Sequence, residues 1–327
     1  MGRGGERRAV DGHLPAHARV AARAVKLIDC VARTADRLAC AAVAFGHGTG
    51  NAFDEAAWLV LWRLGLPLDA LDENTERVLD AAELARIDAL VDERITSRRP
   101  AAYLTGEAWL FGVPFVADER ALVPRSLLAE PLLEGTLETL LGREPRRVLD
   151  LCTGGGSLAV LAALTWPEAR VLGTDLSADA LALARLNVER HALAGHIELR
   201  EGDGLAALRA DERFDLVLCN PPYVNAASMA ALPAEYRAEP ALALAAGRDG
   251  MDFVRPLLAG LAAHLEPAGA LALEIGHERV HFHAAFPHLE PLWLATSAGD
   301  DAVLWLAREQ LVPEIPNMAP AKKKSAR

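Results

Sequence analysis

The stretch Phe214-Asp-Leu-Val-Leu-Cys-Asn-Pro-Pro-Tyr-Val224 constrains the fold more than any other part of the chain. Phe214 to Cys219 is a short apolar run, the pattern of a strand buried on both faces of a parallel sheet. It stops at Asn220-Pro221-Pro222-Tyr223. Proline lacks an N–H, fixes φ and restricts the residue before it, so neither strand nor helix continues through the pair. The result is a rigid loop at the carboxyl end of a strand, where open α/β sheets place their ligands. The loop carries one amide side chain (Asn220), prolyl carbonyls without competing N–H groups, and one ring (Tyr223). A planar NH2 group, as in an amide or an adenine, is a poor nucleophile because its lone pair is delocalised. The Asn220 oxygen and the Pro221 carbonyl can accept its two hydrogens and hold the nitrogen in line with an electrophilic methyl group. That gain comes from positioning more than from acid–base work. Tyr223 can pack against the flat group.

The chain before this loop repeats a strand–helix unit. Arg147 to Leu151 reads as a strand, followed by Cys152-Thr153-Gly154-Gly155-Gly156-Ser157 and a helix from Leu158 to Thr165. A strand, a glycine turn and a helix start form a cradle for the polar part of a ligand. Arg170 to Thr174 is a second strand, ending in Asp175; an acid there suits a ribose diol, because a carboxylate accepts from both hydroxyls. A helix follows from Ala178 to His191. Ile197 to Arg200 is a third strand, ending at Gly202-Asp203. Asp203 suits an adenine amino group, and equally suits capping a short helix from Gly204 to Leu208. Repeated units of this kind predict a parallel sheet with right-handed crossovers. Gly154-Gly155-Gly156 is not the full G-x-G-x-x-G of nicotinamide enzymes. Beyond the proline loop, Ala226 to Ala246 reads as an irregular insertion, Met251 to Leu265 as helix and Ala270 to Ile275 as strand. Glu290 to Leu294 and Ala302 to Ala307 read as an antiparallel edge pair.

The amino-terminal part has a different pattern. Residues 1–14 are expected to be disordered. A helix is expected from Pro15 to Phe45, then a glycine-rich break, Phe45-Gly-His-Gly-Thr-Gly-Asn51. Asp54 is expected to cap a helix carrying Trp58, Leu61, Trp62 and Leu64 in its core face, and another helix is expected from Glu73 to Thr96 with Leu79, Leu84, Ile87 and Val91 on one face. Tyr103 to Val116 reads as a β-hairpin, and Leu127 to Leu141 as helix. This divides the chain into a helical domain (15–100), a hairpin linker (101–126), an α/β domain (127–310) and a disordered basic tail (311–327).

Of the 327 residues 52% are hydrophobic and only 5% aromatic, so alanine and leucine build the core. No apolar run reaches the ~20 residues of a membrane span, and the amino-terminal residues lack the apolar segment of a secretion signal. Cys30, Cys40, Cys152 and Cys219 show no C-x-x-C spacing, which fits a reduced, cytoplasmic protein. The formal net charge of −11 disfavours stable nucleic-acid binding and suits a basic protein partner. His277, His281, His283 and His288 lack a companion motif and read as a solvated helix face, so no metal is expected.

Asp150-Leu-Cys-Thr-Gly-Gly-Gly156, Asp175 and Asn220-Pro-Pro-Tyr223 together resemble the class I S-adenosylmethionine-dependent methyltransferases that modify protein glutamine. The resemblance runs from about Ala35 to Arg308. It implies a Rossmann-like seven-stranded sheet with a helical N-terminal domain and a β-hairpin linker. Two branches of that family act on release-factor Gly-Gly-Gln motifs and on large-subunit ribosomal protein three. Phe45-Gly-His-Gly-Thr-Gly-Asn51, Leu122-Val-Pro-Arg-Ser126 and Leu232-Pro-Ala-Glu-Tyr-Arg-Ala-Glu-Pro240 are similar to the ribosomal-protein branch. The resemblance implies S-adenosylmethionine held by Asp150, Cys152 to Gly156, Asp175, Asp203 and Asn220. It implies a glutamine amide oriented by Asn220, Pro221, Pro222 and Tyr223, on the basic ribosomal protein before assembly. A release-factor glutamine methyltransferase, an adenine-specific nucleic-acid methyltransferase and a catalytically silent cofactor-binding partner are the alternatives. Position 155 is glycine where the family usually carries serine or another small polar residue.

Overall fold

The computed structural model describes Met1 and residues 24–312. The expected amino-terminal disorder, the first part of the helix from Pro15 and nearly all of the basic tail lie outside the described residues. The first element is a two-residue strand, Val25–Lys26 (β1), leading into Leu27–Cys40 (α1). Ala52–Leu64 (α2) begins directly after the expected break, two residues before Asp54. Asn51 is its cap: the side-chain oxygen of Asn51 accepts from the Asp54 N–H at 3.0 Å. The helix expected from Glu73 is two pieces, Leu71–Asn74 (α3) and Ala81–Ser97 (α4), with Val78–Leu79 (β2) between them. A capping box explains the late start: Asp80 accepts from the N–H groups of Ala82 and Glu83, and Glu83 accepts from that of Asp80. Leu79 therefore sits in β2, paired with Val25. Leu27, Val31, Leu59, Ile87, Val91 and Trp58 are buried in the core of this helical part.

The hairpin begins later than expected. Ala101–Thr105 (α5) comes first, ended by Gly106 at φ 72, and then Glu107–Leu110 (β3) pairs with Val113–Val116 (β4). The helix expected over Leu127 to Leu141 breaks into Ala129–Leu133 (α6) and Thr136–Leu141 (α7), because Gly135 takes φ 76, a left-handed conformation that ends a helix.

Seven strands form one sheet: Arg147–Leu151 (β5), Arg170–Asp175 (β6), Ile197–Glu201 (β7), Phe214–Cys219 (β8), Leu265–Glu274 (β9), Leu292–Thr296 (β10) and Gly299–Ala307 (β11). Their order is β10-β11-β9-β8-β5-β6-β7, with β5 to β9 parallel and β11 antiparallel to both its neighbours. This is the expected α/β architecture. Strand periodicity explains the apolar runs, since alternate residues serve opposite faces. Val148, Leu216 and Leu218 pack on one face with the helix Ser157–Thr165 (α8). Leu149, Val217, Leu271 and Leu273 pack on the other with Val254 and Leu258. The helix expected over Met251 to Leu265 is shorter, Val254–Gly260, followed by a 3-10 turn, and β9 starts at Leu265. The insertion contains two short helices, Ala226–Ala231 and Ala234–Arg237.

The chain runs from β5 outward through β6 and β7, then returns to the other side of β5 with β8. That reversal opens a crevice at the carboxyl ends of β5 and β8, the place where doubly wound sheets bind ligands.

Candidate active site

A cavity of about 350 Å³ lies in this crevice, a size suited to a small ligand. Cys152, Thr153, Gly154, Gly155, Asp175, Asp203, Asn220 and Pro222 line it. The opposite wall comes from Val123 to Ser126 and from Ala243, Ala245 and Ala246. The β5–β8 register, with Leu151 opposite Cys219, brings the glycine turn beside the proline loop.

Hydrogen bonds fix the glycine turn. Thr153 N–H donates to the Thr174 carbonyl at 2.9 Å, and Gly156 N–H to Thr153 O at 2.8 Å. Gly154 N–H donates to Asp175 Oδ2 at 2.8 Å, while Asp175 Oδ1 accepts from Ser177 N–H at 2.9 Å. Gly156 must be glycine: its φ is +81, and a Cβ there would lie 3.1 Å from the Ala184 Cβ. Asp150 sits below the turn, where Oδ2 accepts from Thr153 Oγ1 at 2.5 Å and from Ala159 N–H at 2.9 Å. Its Oδ1 is buried without a partner among the described residues, and burial raises its pKa to about 7. Asp150 and Gly156 thus brace the turn without lining the cavity.

The proline loop divides its residues between two places. Asn220 and Pro222 line the cavity, whereas Pro221 is buried and Tyr223 faces elsewhere. Among the described residues, neither the Asn220 side chain nor the Pro221 carbonyl takes part in a hydrogen bond. The Tyr223 hydroxyl donates to Glu274 Oε1 at 3.3 Å. Glu274 ends β9 fully buried, and its other oxygen accepts from Ser126 Oγ at 2.6 Å and Leu127 N–H at 2.9 Å. Burial pushes the Glu274 carboxyl up, and these hydrogen bonds offset part of the rise. A Cβ at Gly276 would meet the Tyr223 ring at 2.6 Å, so the ring lies close against that backbone. Tyr223 consequently ties the loop to β9; the sequence reading had placed it against the ligand.

Asp203 makes no capping bond to the 3-10 turn Gly204–Ala207, so the capping role considered from the sequence is absent, and its carboxylate lies at the cavity. His281 and His283 lie on the helix Arg279–Ala285 while His277 precedes it. Among the described residues no group of three or more His, Cys, Asp or Glu side chains could hold a metal.

Glu274 and Glu239 were missed by sequence reasoning. Glu274 had a signal, a lone acid at the end of an apolar strand, Ala270-Leu-Ala-Leu-Glu274. Glu239 had only its place before Pro240.

The residues fit S-adenosylmethionine. Gly154 and Gly155 leave one wall free of side chains, and two carboxylates stand at the ends of β6 and β7 to accept from hydroxyl and amino donors. Each Asp175 oxygen accepts a single backbone N–H and keeps a second lone pair.

A family model described as methyltransferase small domain matches residues 131–236. The ribosomal protein uL3 glutamine methyltransferase of Bordetella pertussis is 52% identical over 288 residues, covering 87% of this chain and 96% of that protein. The protein of the same name from Burkholderia pseudomallei is 47% identical over 292 residues, covering 86% and 94%. That from Neisseria gonorrhoeae is 44% identical over 271 residues, covering 83% and 90%. With identity of this level along nearly the whole length of these relatives, the chain belongs to the ribosomal protein uL3 glutamine methyltransferase family.

Proposed function

We propose that the protein methylates a glutamine side-chain amide nitrogen in ribosomal protein uL3, with S-adenosylmethionine as methyl donor. The observation that carries this reading is an unused acceptor, the Asn220 side-chain oxygen, on the wall of a cavity suited to the donor, followed directly in the chain by the unused Pro221 carbonyl. Bound S-adenosylmethionine supplies an electrophilic methyl group. Asn220 and Pro221 accept the two amide hydrogens and hold the nitrogen in line with it, so that orientation replaces chance encounter. Transfer would form the N–C bond as the donor's methyl C–S bond breaks and S-adenosylhomocysteine leaves, and the same two oxygens would stabilise the positive charge developing on the amide nitrogen. The extra proton then leaves to water. Pro222 fills the wall beside Asn220, and Tyr223 holds the loop on Glu274. Asp175 and Asp203, with Cys152 to Gly155, hold the donor; Asp150 and Gly156 keep that turn in shape.

We assign protein recognition to residues 15–100, with 101–126 as linker and 127–310 as the catalytic domain. The acceptor is the free, basic uL3 before assembly, because a chain of net charge −11 is repelled by ribosomal RNA and attracted to an uncovered basic protein. On this reading the enzyme works in the cytoplasm, where free uL3 is made. The test is tritium transfer from labelled donor to free uL3, assembled large subunits, a release factor and double-stranded DNA under one condition. Free uL3 is the preferred acceptor. Preference for the release factor or DNA overturns the substrate, and donor binding with no acceptor labelled identifies a silent binding protein.

A further inference from the structure

The insertion that leaves the proline loop is tied at its base and at its tip. At the base, Val224 N–H donates to Leu244 O at 2.8 Å and Ala246 N–H to Val224 O at 3.0 Å. At the tip, Glu239 is buried and accepts from Val123 N–H at 3.0 Å and from both terminal nitrogens of Arg125, at 2.5 and 2.7 Å. His47 Nε2 lies 3.2 Å from the same carboxylate. A carboxylate only accepts, so Nε2 carries the proton, and the buried Nδ1 has no partner among the described residues. His47 also packs on Tyr236, ring centroids 4.3 Å apart, and Arg125 lies over the same ring at 5.5 Å. Gly46 lets this happen, since a Cβ there would fall 2.3 Å from the Tyr236 hydroxyl. One turn earlier, Glu235 pairs with Arg98 at 3.0 Å and stands 3.6 Å from Arg94.

We infer that Glu239 is a positioning residue for methyl transfer: it locks the two segments of the outer cavity wall together and fixes both to the helical part. This rests on the reaction proposed above. Val123 to Ser126 and Pro240 to Ala246 both line the cavity, and Glu239 joins them. The second segment pairs directly with Val224, four residues from Asn220. A wall free to shift changes the distance between donor and acceptor, and a displacement of ~1 Å costs about 100-fold in rate. The clamp is permanent at neutral pH. Burial pushes the Glu239 carboxyl up, but the bonds from His47 and Arg125 outweigh it and bring the pKa down to about 2. His47, Arg125, Val123 N–H and the Tyr236 ring are the groups that face it.

The test compares the parent with Glu239→Gln, which keeps shape and loses charge, and Glu239→Asp, which keeps charge and shortens the reach. Three quantities are read: the melting transition, donor affinity by calorimetry without acceptor, and single-turnover methylation of purified uL3 at saturating donor. Below its melting transition, Glu239→Gln turns over at least ~30-fold more slowly with donor affinity changed ~3–10-fold, and Glu239→Asp recovers part of the rate. A folded variant with parent-like rate and affinity overturns the inference; a purely structural role predicts a lower melting point and nothing else. Glu239→Asp keeps the comparison decisive if Glu239→Gln does not fold. If the parent fails to methylate uL3, the substrate assignment falls, and the affinity change alone decides the clamp.

Discussion

Asp175 Oδ2 accepts the Gly154 N–H at 2.8 Å, so the acid that ends β6 also sets the glycine turn that ends β5. Removing this carboxylate loses a ligand acceptor and loosens the glycine turn in one step. Asp175→Ala binds S-adenosylmethionine at least ~10-fold more weakly by calorimetry, equivalent to losing about 1.5–3 kcal/mol of charge-assisted hydrogen bonding. Unchanged affinity would remove Asp175 from the donor site.

The Asn220 side chain makes no hydrogen bond among the described residues, so truncating it leaves the loop intact. Asn220→Ala keeps donor affinity within ~3-fold of the parent and lowers the single-turnover rate by about 100-fold or more, the size expected for an interaction made at the reacting atoms. Rapid-quench measurement on free uL3 checks this; a near-parent rate contradicts the role.

Gly276 has φ +51 and lies against the Tyr223 ring. An added methyl must push the ring off Glu274 while straining the backbone. Gly276→Ala therefore loses about 1–3 kcal/mol of stability in urea titration and slows transfer more than it weakens donor binding. A variant as stable and fast as the parent would mean that Tyr223 does not hold the loop.

Asp150 gives the protein an unusual pH response. Its ordinary pKa is 3.8 and burial raises it to about 7, so folding favours the protonated acid. The stabilisation is complete below pH 3.8, shrinks as pH rises, and is gone above about 7. At ~1.4 kcal/mol per pKa unit its total is on the order of 4 kcal/mol. Urea unfolding between pH 5 and 8 shows parent stability falling as pH rises. Asp150→Asn flattens that slope, and an equal slope in both proteins would show that Asp150 titrates normally.

The centre of the sheet was legible in the sequence because β5, β6, β8 and the second half of β9 are buried on both faces and read as short, mostly apolar runs. The glycine turn and Asn220 were legible for the same reason, lying where those runs end. Helix boundaries were less so. Leu79 fits the apolar spacing of α4, yet Asp80 and Glu83 cap the helix one residue later, a reciprocal bond that periodicity does not register. The bond from Tyr223 to Glu274 was not legible because sequence order does not reveal that Gly276, 53 positions on, opens a seat for the ring. Glu239 was invisible because its partners, His47 and Arg125, are distant in sequence and meet only after the two parts of the chain dock.

The position of β11 has a consequence for synthesis. The cavity-lining residues are all translated by Phe253, but β9 stays open on one side until Gly299–Ala307 slots between it and β10. A nascent chain extending only to Thr296 presents the whole edge of β9 to solvent, Glu274 included. The ribosome thus holds a chain with every site residue made and the sheet unsealed, and β11, the last strand among the described residues, closes the sheet.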